Sequence, residues 1–172
     1  IQAGDLLLLI QMQDATINYT NSNLYGAGNS ASGTDALGAT GYTSLGNSGR
    51  FEYVIATNAV ALTGGTLTFK GAGTGGGTVY AYVNAAATAT SGKKTFEVVR
   101  VPQYSNLVLS SDISTPPFNG KAGGIIAFDV SGSMDFNGHT IDASSKGFRG
   151  GYGIIAASGQ NINNVFVTPS TD

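Results

Sequence analysis

Residues 123–155 read GGIIAFDVSGSMDFNGHTIDASSKGFRGGYGII, and this stretch decides the fold. Ile126, Phe128 and Val130 alternate with Ala127 and Asp129, a period of two that turns one face of an extended chain toward a core. Ser131-Gly132 interrupts the run. Met134 and Phe136 then alternate with Ser133 and Asp135, and Asn137-Gly138 follows. Asn-Gly suits positive φ at both central positions of a tight turn. His139 to Ala143 resumes extended, with Ile141 inward. Short strands, tight turns and polar outer positions form the pattern of this unit.

Upstream, the same pattern recurs. Thr95 to Val101 is a strand that Pro102 ends, and Leu107 and Leu109 lie in another that reaches about Ile113. Pro116-Pro117 blocks further sheet pairing and Asn119-Gly120 turns the chain. Phe51, Tyr53 and Ile55 alternate over about residues 50–57. Val60 and Leu62 add a short piece ended by Gly64-Gly65. Leu67 and Phe69 face inward, GAGTGGG at 71–77 connects, and Val79 to Val83 is the return strand. Downstream, Ile154-Ile155 and Val165 to Val167 give the last strands. No segment of ten or more residues carries a 3.6-residue period, so the chain reads as all-β with about ten to twelve short strands. The expected architecture is a two-sheet β-sandwich of jelly-roll type. The alternative is a short right-handed parallel β-helix.

At the N-terminus, Leu6, Leu8, Ile10 and Met12 form one face of a strand, and Leu7 and Leu9 make the other face apolar for its first half. A strand apolar on both faces is central or covered. It can find that cover within its own sheet, or by adding to the open edge of a neighbouring subunit, where main-chain bonds supply affinity and alternate side chains fill pockets. The second route, donor-strand exchange, makes Leu6, Leu7, Leu8, Leu9, Ile10 and Met12 a subunit interface in a head-to-tail homopolymer. The chain is then a single β-rich domain over 1–172, with 1–20 as the donated strand. Residues 21–50 form a long Gly/Ser/Asn-rich loop that supplies slack, pinned by Leu24, Tyr25, Leu37, Tyr42 and Leu45. Asn18-Tyr19-Thr20 fits the glycosylation sequon and makes Asn18 a candidate acceptor.

Composition narrows the function classes. The chain has no cysteine, so disulfides and thiolate metal sites are excluded. Only 10% of its 172 residues are charged, far below the usual quarter, and 26 are glycine. That balance is common among secreted β proteins and unusual for a cytosolic enzyme. A net charge of −2 argues against a nucleic-acid partner, which needs a basic footprint. No apolar run reaches 18 residues, so no helix spans a bilayer. The chain opens at Ile1 rather than Met, which suits a processed or excised segment of an exported protein.

Residues that carry chemistry are few. Gly71-Ala72-Gly73-Thr74-Gly75-Gly76 matches G-x-G-x-x-G, with Glu97 some twenty residues on. The dinucleotide fingerprint needs a helix to follow, and here a Val-Tyr-Ala-Tyr-Val strand follows instead. Asp129, Asp135 and Asp142 are expected on neighbouring strands, pointing outward. Paired carboxylates about 5–9.5 Å apart cleave glycosidic bonds. This chain lacks Trp, the usual sugar platform, and Glu52 and Glu97 lie elsewhere, so solvated strand faces and turn caps are the expected roles. The same carboxylates with Asn137 and backbone carbonyls offer oxygen ligands for Ca²⁺, but no Asp-x-Asp-x-Asp loop is present. His139 is the only histidine. A triad with Asp142 and a serine can be drawn, but no Gly-x-Ser-x-Gly elbow exposes a nucleophile. Lys146, Arg149 and the run Gly-Phe-Arg-Gly-Gly-Tyr-Gly read as a glycine corner. No catalytic, cofactor or metal residue is therefore assigned.

The pieces GDLLLLIQMQDA, TLTFKGAGTGGGTVYAY, FEVVRVPQYSNLVL and GGIIAFDVSGSMDFNGHTIDASSKGFRGG resemble parts of large bacterial secreted and cell-surface proteins. Those are adhesin-like, Gly/Thr/Asn-rich chains with β-helical or sandwich modules. The resemblance rests on composition and turn grammar and carries over no functional residues. It implies an extracellular, non-enzymatic module: a self-assembling filament subunit, pilus-like fibre component or adhesin whose partners are copies of itself. A surface-glycan-binding module is the first alternative, and a polysaccharide-active β-helix enzyme the second.

Overall fold

The computed structural model describes residues 1–18, 41–88 and 91–147. Among the described residues the chain is all-β. In chain order the strands are β1 (Leu6–Gln13), β2 (Thr16–Asn18), β3 (Gly41–Ser44), β4 (Phe51–Ala56), β5 (Phe69–Lys70), β6 (Thr95–Val101), β7 (Gln103–Tyr104), β8 (Leu107–Val108), β9 (Ile113–Ser114), β10 (Asp129–Val130), β11 (Met134–Asp135) and β12 (Ile141–Asp142). The only helical turn among them is 3₁₀, over Thr74–Gly76.

The larger sheet has the order β5-β4-β1-β6 and is antiparallel throughout. Leu7 lies opposite Val54 and Arg100, and Leu9 opposite Glu52 and Val98. This register puts Leu7, Leu9, Val54 and Ala56 on one face as the buried core, with Ile1, Leu67, Phe69, Tyr82 and Val98 packed against it. The other face is uneven. Leu8 and Val101 are buried, whereas Phe51, Tyr53 and Ile55 on β4 remain 53, 52 and 41% exposed. Within this chain β1 is a central strand, hydrogen-bonded on both edges to β4 and β6. Of the six residues expected at a subunit interface, Leu7, Leu8 and Leu9 are buried and Leu6, Ile10 and Met12 half-buried.

Several segments differ from the alternation pattern. Val79 to Val83 runs beside the sheet without joining its ladder, because side chains take its backbone groups instead. The Glu52 carboxylate accepts the Val79 and Tyr80 amides at 3.0 and 3.1 Å. The Gln11 amide group bonds Val83 in both directions, accepting its N–H at 2.9 Å and donating to its carbonyl at 2.8 Å. Gln11 is fully buried, yet its amide is matched by this clamp and by the Gln13 carbonyl. Residues 41–50, expected within a long loop, contain β3 paired with β2, followed by a turn; residues 21–40 lie outside the described part. Around Val60–Leu62 there is only an isolated bridge, Ala61 to Gly64. Asn18 ends β2, opposite Gly41.

Beyond Pro102 the strand pairing changes character. β7 pairs with β10, β8 with β11 and β9 with β12, each pair parallel and each in its own two-stranded sheet. The partners Gln103–Asp129, Asn106–Ser133 and Asp112–Thr140 are 26, 27 and 28 residues apart. Residues 102–128 and 129–147 are therefore successive coils of chain, the second lying on the first along three sides. Backbone bonds repeat the relation, from Leu107 to Ser133, Leu109 to Asp135, Ile113 to Thr140 and Phe118 to Lys146. Asn137 and Gly138 have φ of 47° and 76°, the two positive values the Asn-Gly signal implies. Their turn bends the coil from β11 toward β12, two strands that belong to different ladders. β6 lies against the first coil: Lys93 Nζ donates to the Gly120 carbonyl and the Gly123 amide donates to Glu97.

Candidate functional site

The polar residues that drew attention in the sequence are distributed around the stacked coils. Asp129, Asp135 and Asp142 are all exposed, as expected, but they are not on neighbouring strands. They occupy β10, β11 and β12, and each strand's neighbour is the one a full coil earlier. Asp129 therefore faces Gln103, Asp135 faces Val108 and Asp142 faces Ser114. Sequence proximity misleads here because a coil sends consecutive strands to different sides.

Each carboxylate has a local structural task. Asp129 accepts a bond from Gln103 Nε2 at 3.1 Å, tying one coil to the next. Asp135 accepts the Asn137 amide at 2.8 Å and Asp142 the Ser144 amide at 2.7 Å, both of them side chains closing a turn onto the backbone two residues on. The Ser144 hydroxyl and amide hold the Asp142 carboxyl below its usual range. A turn-closing carboxylate kept ionised is a poor general acid, which needs the opposite shift.

His139 meets Asp112, not Asp142: its Nδ1 lies 3.6 Å from Asp112 Oδ1. The Asp112 side chain is 70% exposed. It also accepts the Thr140 amide at 2.8 Å, and Thr140 holds its carboxyl below the usual range, with His139 adding to the effect. This is a corner contact between the coils. Asn106 does the same work at another corner, where its Oδ1 accepts both the amide and the hydroxyl of Ser133 at 2.9 Å. Asn137 Nδ2 donates to the Leu109 carbonyl across a third. Sequence inspection missed Asn106 and Gln103. A search for polar residues recurring at 26–28 residues, opposite a turn in the next coil, finds both.

The remaining candidates also resolve into local structure. In the segment Gly71–Gly77, the Gly71 amide bonds the Gly76 carbonyl, Gly73 bonds Gly77, and Gly76 and Gly77 bond Gly73 and Thr74. Those amides close the loop on itself and do not point at a shared anion position. Glu52 holds the 79–83 segment as described, and Glu97 receives the Gly123 amide on both oxygens at 3.1 Å. Burial pushes the Glu97 carboxyl up, against the lowering effect of that bond. Asp14 is buried beside Lys94; burial alone would raise its carboxyl, but Lys94 and the Asn47 amide hold it below the usual range. Among the described residues no group of three or more His, Cys, Asp or Glu is placed to hold a metal ion. Lys146 is half-buried where the second coil meets Phe118, and Arg149 lies outside the described residues.

Between β6 and the first coil is an open, largely apolar groove of about 320 Å³, lined by Val99, Pro102, Leu107, Ile113, Ile126 and Phe128 together with the polar Arg100 and Thr115. No helix among the described residues is long and apolar enough to cross a membrane. No family model, no curated protein and no solved structure matches the chain.

Proposed function

We propose that this chain is a non-enzymatic structural module of an extracellular or cell-surface protein, a β-solenoid stalk or adhesin segment seated on an antiparallel sheet. One observation carries the reading: three parallel ladders whose partners are 26, 27 and 28 residues apart. Such coils make each unit depend only on its neighbours, so length can be added without redesigning a core. This favours the parallel β-helix over the jelly roll, whose strands run antiparallel. The side chains between the coils support the same reading. Gln103, Asn106, Asp112 and Asn137 join one coil to the next, and the turn-closing Asp135 and Asp142 shape corners. The low charge and the absence of cysteine suit a protein outside the cell.

Immunogold labelling of source cells tests the location: label on the envelope exterior is expected, and label confined to the cytoplasm defeats the proposal. Purified chain is expected to release no reducing sugar from polysaccharides. Release that is lost in Asp129→Asn, Asp135→Asn or Asp142→Asn would establish the enzymatic alternative instead.

A further inference from the structure

Cationic side chains are scarce in this chain, eight in 172 residues with a net charge of −2. Three of them, Lys93, Lys94 and Lys121, line one open groove of about 430 Å³. Its other described lining residues are Asn84, Ala85, Ala86, Thr95 and Phe96. Gathering like charges in one place opposes folding through their mutual repulsion, so the bonds that hold them there matter. The Ala85–Lys94 bridge closes with both backbone bonds, at 3.0 and 2.9 Å, and leads into β6 along one wall. Asn84 Oδ1 accepts the Phe96 amide at 3.0 Å and extends that wall. Lys93 Nζ donates to the Gly120 carbonyl at 2.8 Å, which draws the 119–122 turn against the start of β6. In that turn Asn119 Oδ1 accepts the Lys121 and Ala122 amides, both at 3.0 Å, and so fixes the backbone that carries Lys121.

The three ammonium groups differ in how their charge is balanced. Lys94 Nζ lies 2.6 Å from Oδ1 of the buried Asp14, so that pair is neutral and structural. Lys93 spends one of its N–H donors on Gly120, a neutral carbonyl that leaves its charge unbalanced. Lys121 is exposed at the rim. Glu97, next to Phe96 on β6, points to the opposite side of the strand and takes the Gly123 amide. The groove therefore keeps the charge of Lys93 and Lys121 beside Phe96, a half-buried ring tilted against Tyr82 at 6.2 Å. Ammonium donors next to an apolar ring suit a ligand whose carboxylates are set on rings with an apolar face. A sugar acid has that chemistry: its carboxylate takes charge-assisted bonds from the lysines, and the C–H face of its ring packs on Phe96. Resting on the extracellular reading, we propose that this groove binds a carboxylated polysaccharide, a polyuronate, at the cell surface.

Retention of the full chain on immobilised polygalacturonate tests this, with dextran as the neutral polymer. The chain is expected to bind polygalacturonate at about 50 mM salt, to lose most of that binding at about 500 mM, and to pass dextran unretained. Lys121→Glu reverses a charge on an exposed side chain, so its circular dichroism should match that of the parent while its affinity falls about tenfold. Lys70→Glu makes the same change of charge on an exposed lysine outside the groove, and its affinity is expected to stay within about twofold of the parent. Lys121→Arg keeps the charge and is expected to bind as the parent does. Absence of retention on polygalacturonate at the lower salt overturns the inference and leaves the surface location standing. Equal losses in the Lys121→Glu and Lys70→Glu variants overturn it as well, reducing the binding to a general attraction of charge. Equal retention on dextran removes the role of the lysines. Tighter binding of double-stranded DNA than of polygalacturonate assigns the groove to phosphate and defeats the polyuronate.

Discussion

One buried and one half-buried polar side chain give residue-scale predictions of opposite kinds. Gln11 is fully buried and bonds both backbone groups of Val83. Gln11→Leu leaves that N–H and carbonyl without partners, and an orphaned buried group costs about 1–3 kcal/mol. Urea unfolding is expected to show a loss of about 2–4 kcal/mol for this variant. Glu97 differs in that burial raises its carboxyl. A group whose folded value lies above its unfolded one contributes stability that is present at low pH and lost as pH climbs through the folded value. Starting near the ordinary value of 4.5, then, Glu97 subtracts stability as pH rises. Asp14, held below 3.8, subtracts stability only as pH falls below that figure. Glu97→Gln keeps an acceptor for Gly123. Its melting temperature is expected to fall less than that of the parent between about pH 4.5 and 7; parallel curves for the two proteins would show that Glu97 does not titrate in this window.

At the scale of elements, the sheet and the coils should respond separately. Leu7 is fully buried in the central strand, so Leu7→Ala is expected to cost about 2–5 kcal/mol in global unfolding. Val108→Ala, on a side chain 60% exposed in the first coil, should stay within about 0.5 kcal/mol. Gly132 sits at a corner where an added Cβ would clash with the Ser105 carbonyl oxygen. Gly132→Ala is expected to speed amide exchange at Leu107, Leu109 and Ser131 while amides in β1 and β4 keep their protection. Uniform loss across both would mean that sheet and coils unfold as one. These elements were unequally legible in the sequence. Leu6–Gln13, Phe51–Ala56 and Thr95–Val101 announced themselves, because long runs with apolar alternation leave little choice. Strand pairing did not, since Ile126–Val130 reads the same whether its neighbour is antiparallel at ten residues or parallel at 26. The 79–83 segment read as a strand because its alternation is genuine; its partners are the side chains of Glu52 and Gln11, which no period reveals. The outward carboxylates were recognised as exposed, but grouping them required knowing that a coil separates neighbours in sequence onto different sides.

For the whole molecule, far-UV circular dichroism is expected to show a β spectrum with less than about 15% helix, against a globular average near one-third; a helix-dominated spectrum would contradict the fold. The two halves also impose an order on folding. β1 pairs with β6, joining Leu6 to Val101, so the sheet cannot close until most of the first hundred residues are present. Distant pairings of this kind are slow to form. Each later coil closes a loop of only 26–28 residues on a surface already built. Emergence of the chain therefore completes the sheet only once β6 has been delivered, and the segment 129–147 is laid on 102–128 after that. A chain pulled outward from its N-terminus would thus acquire, from its own folding, a ratchet against sliding back.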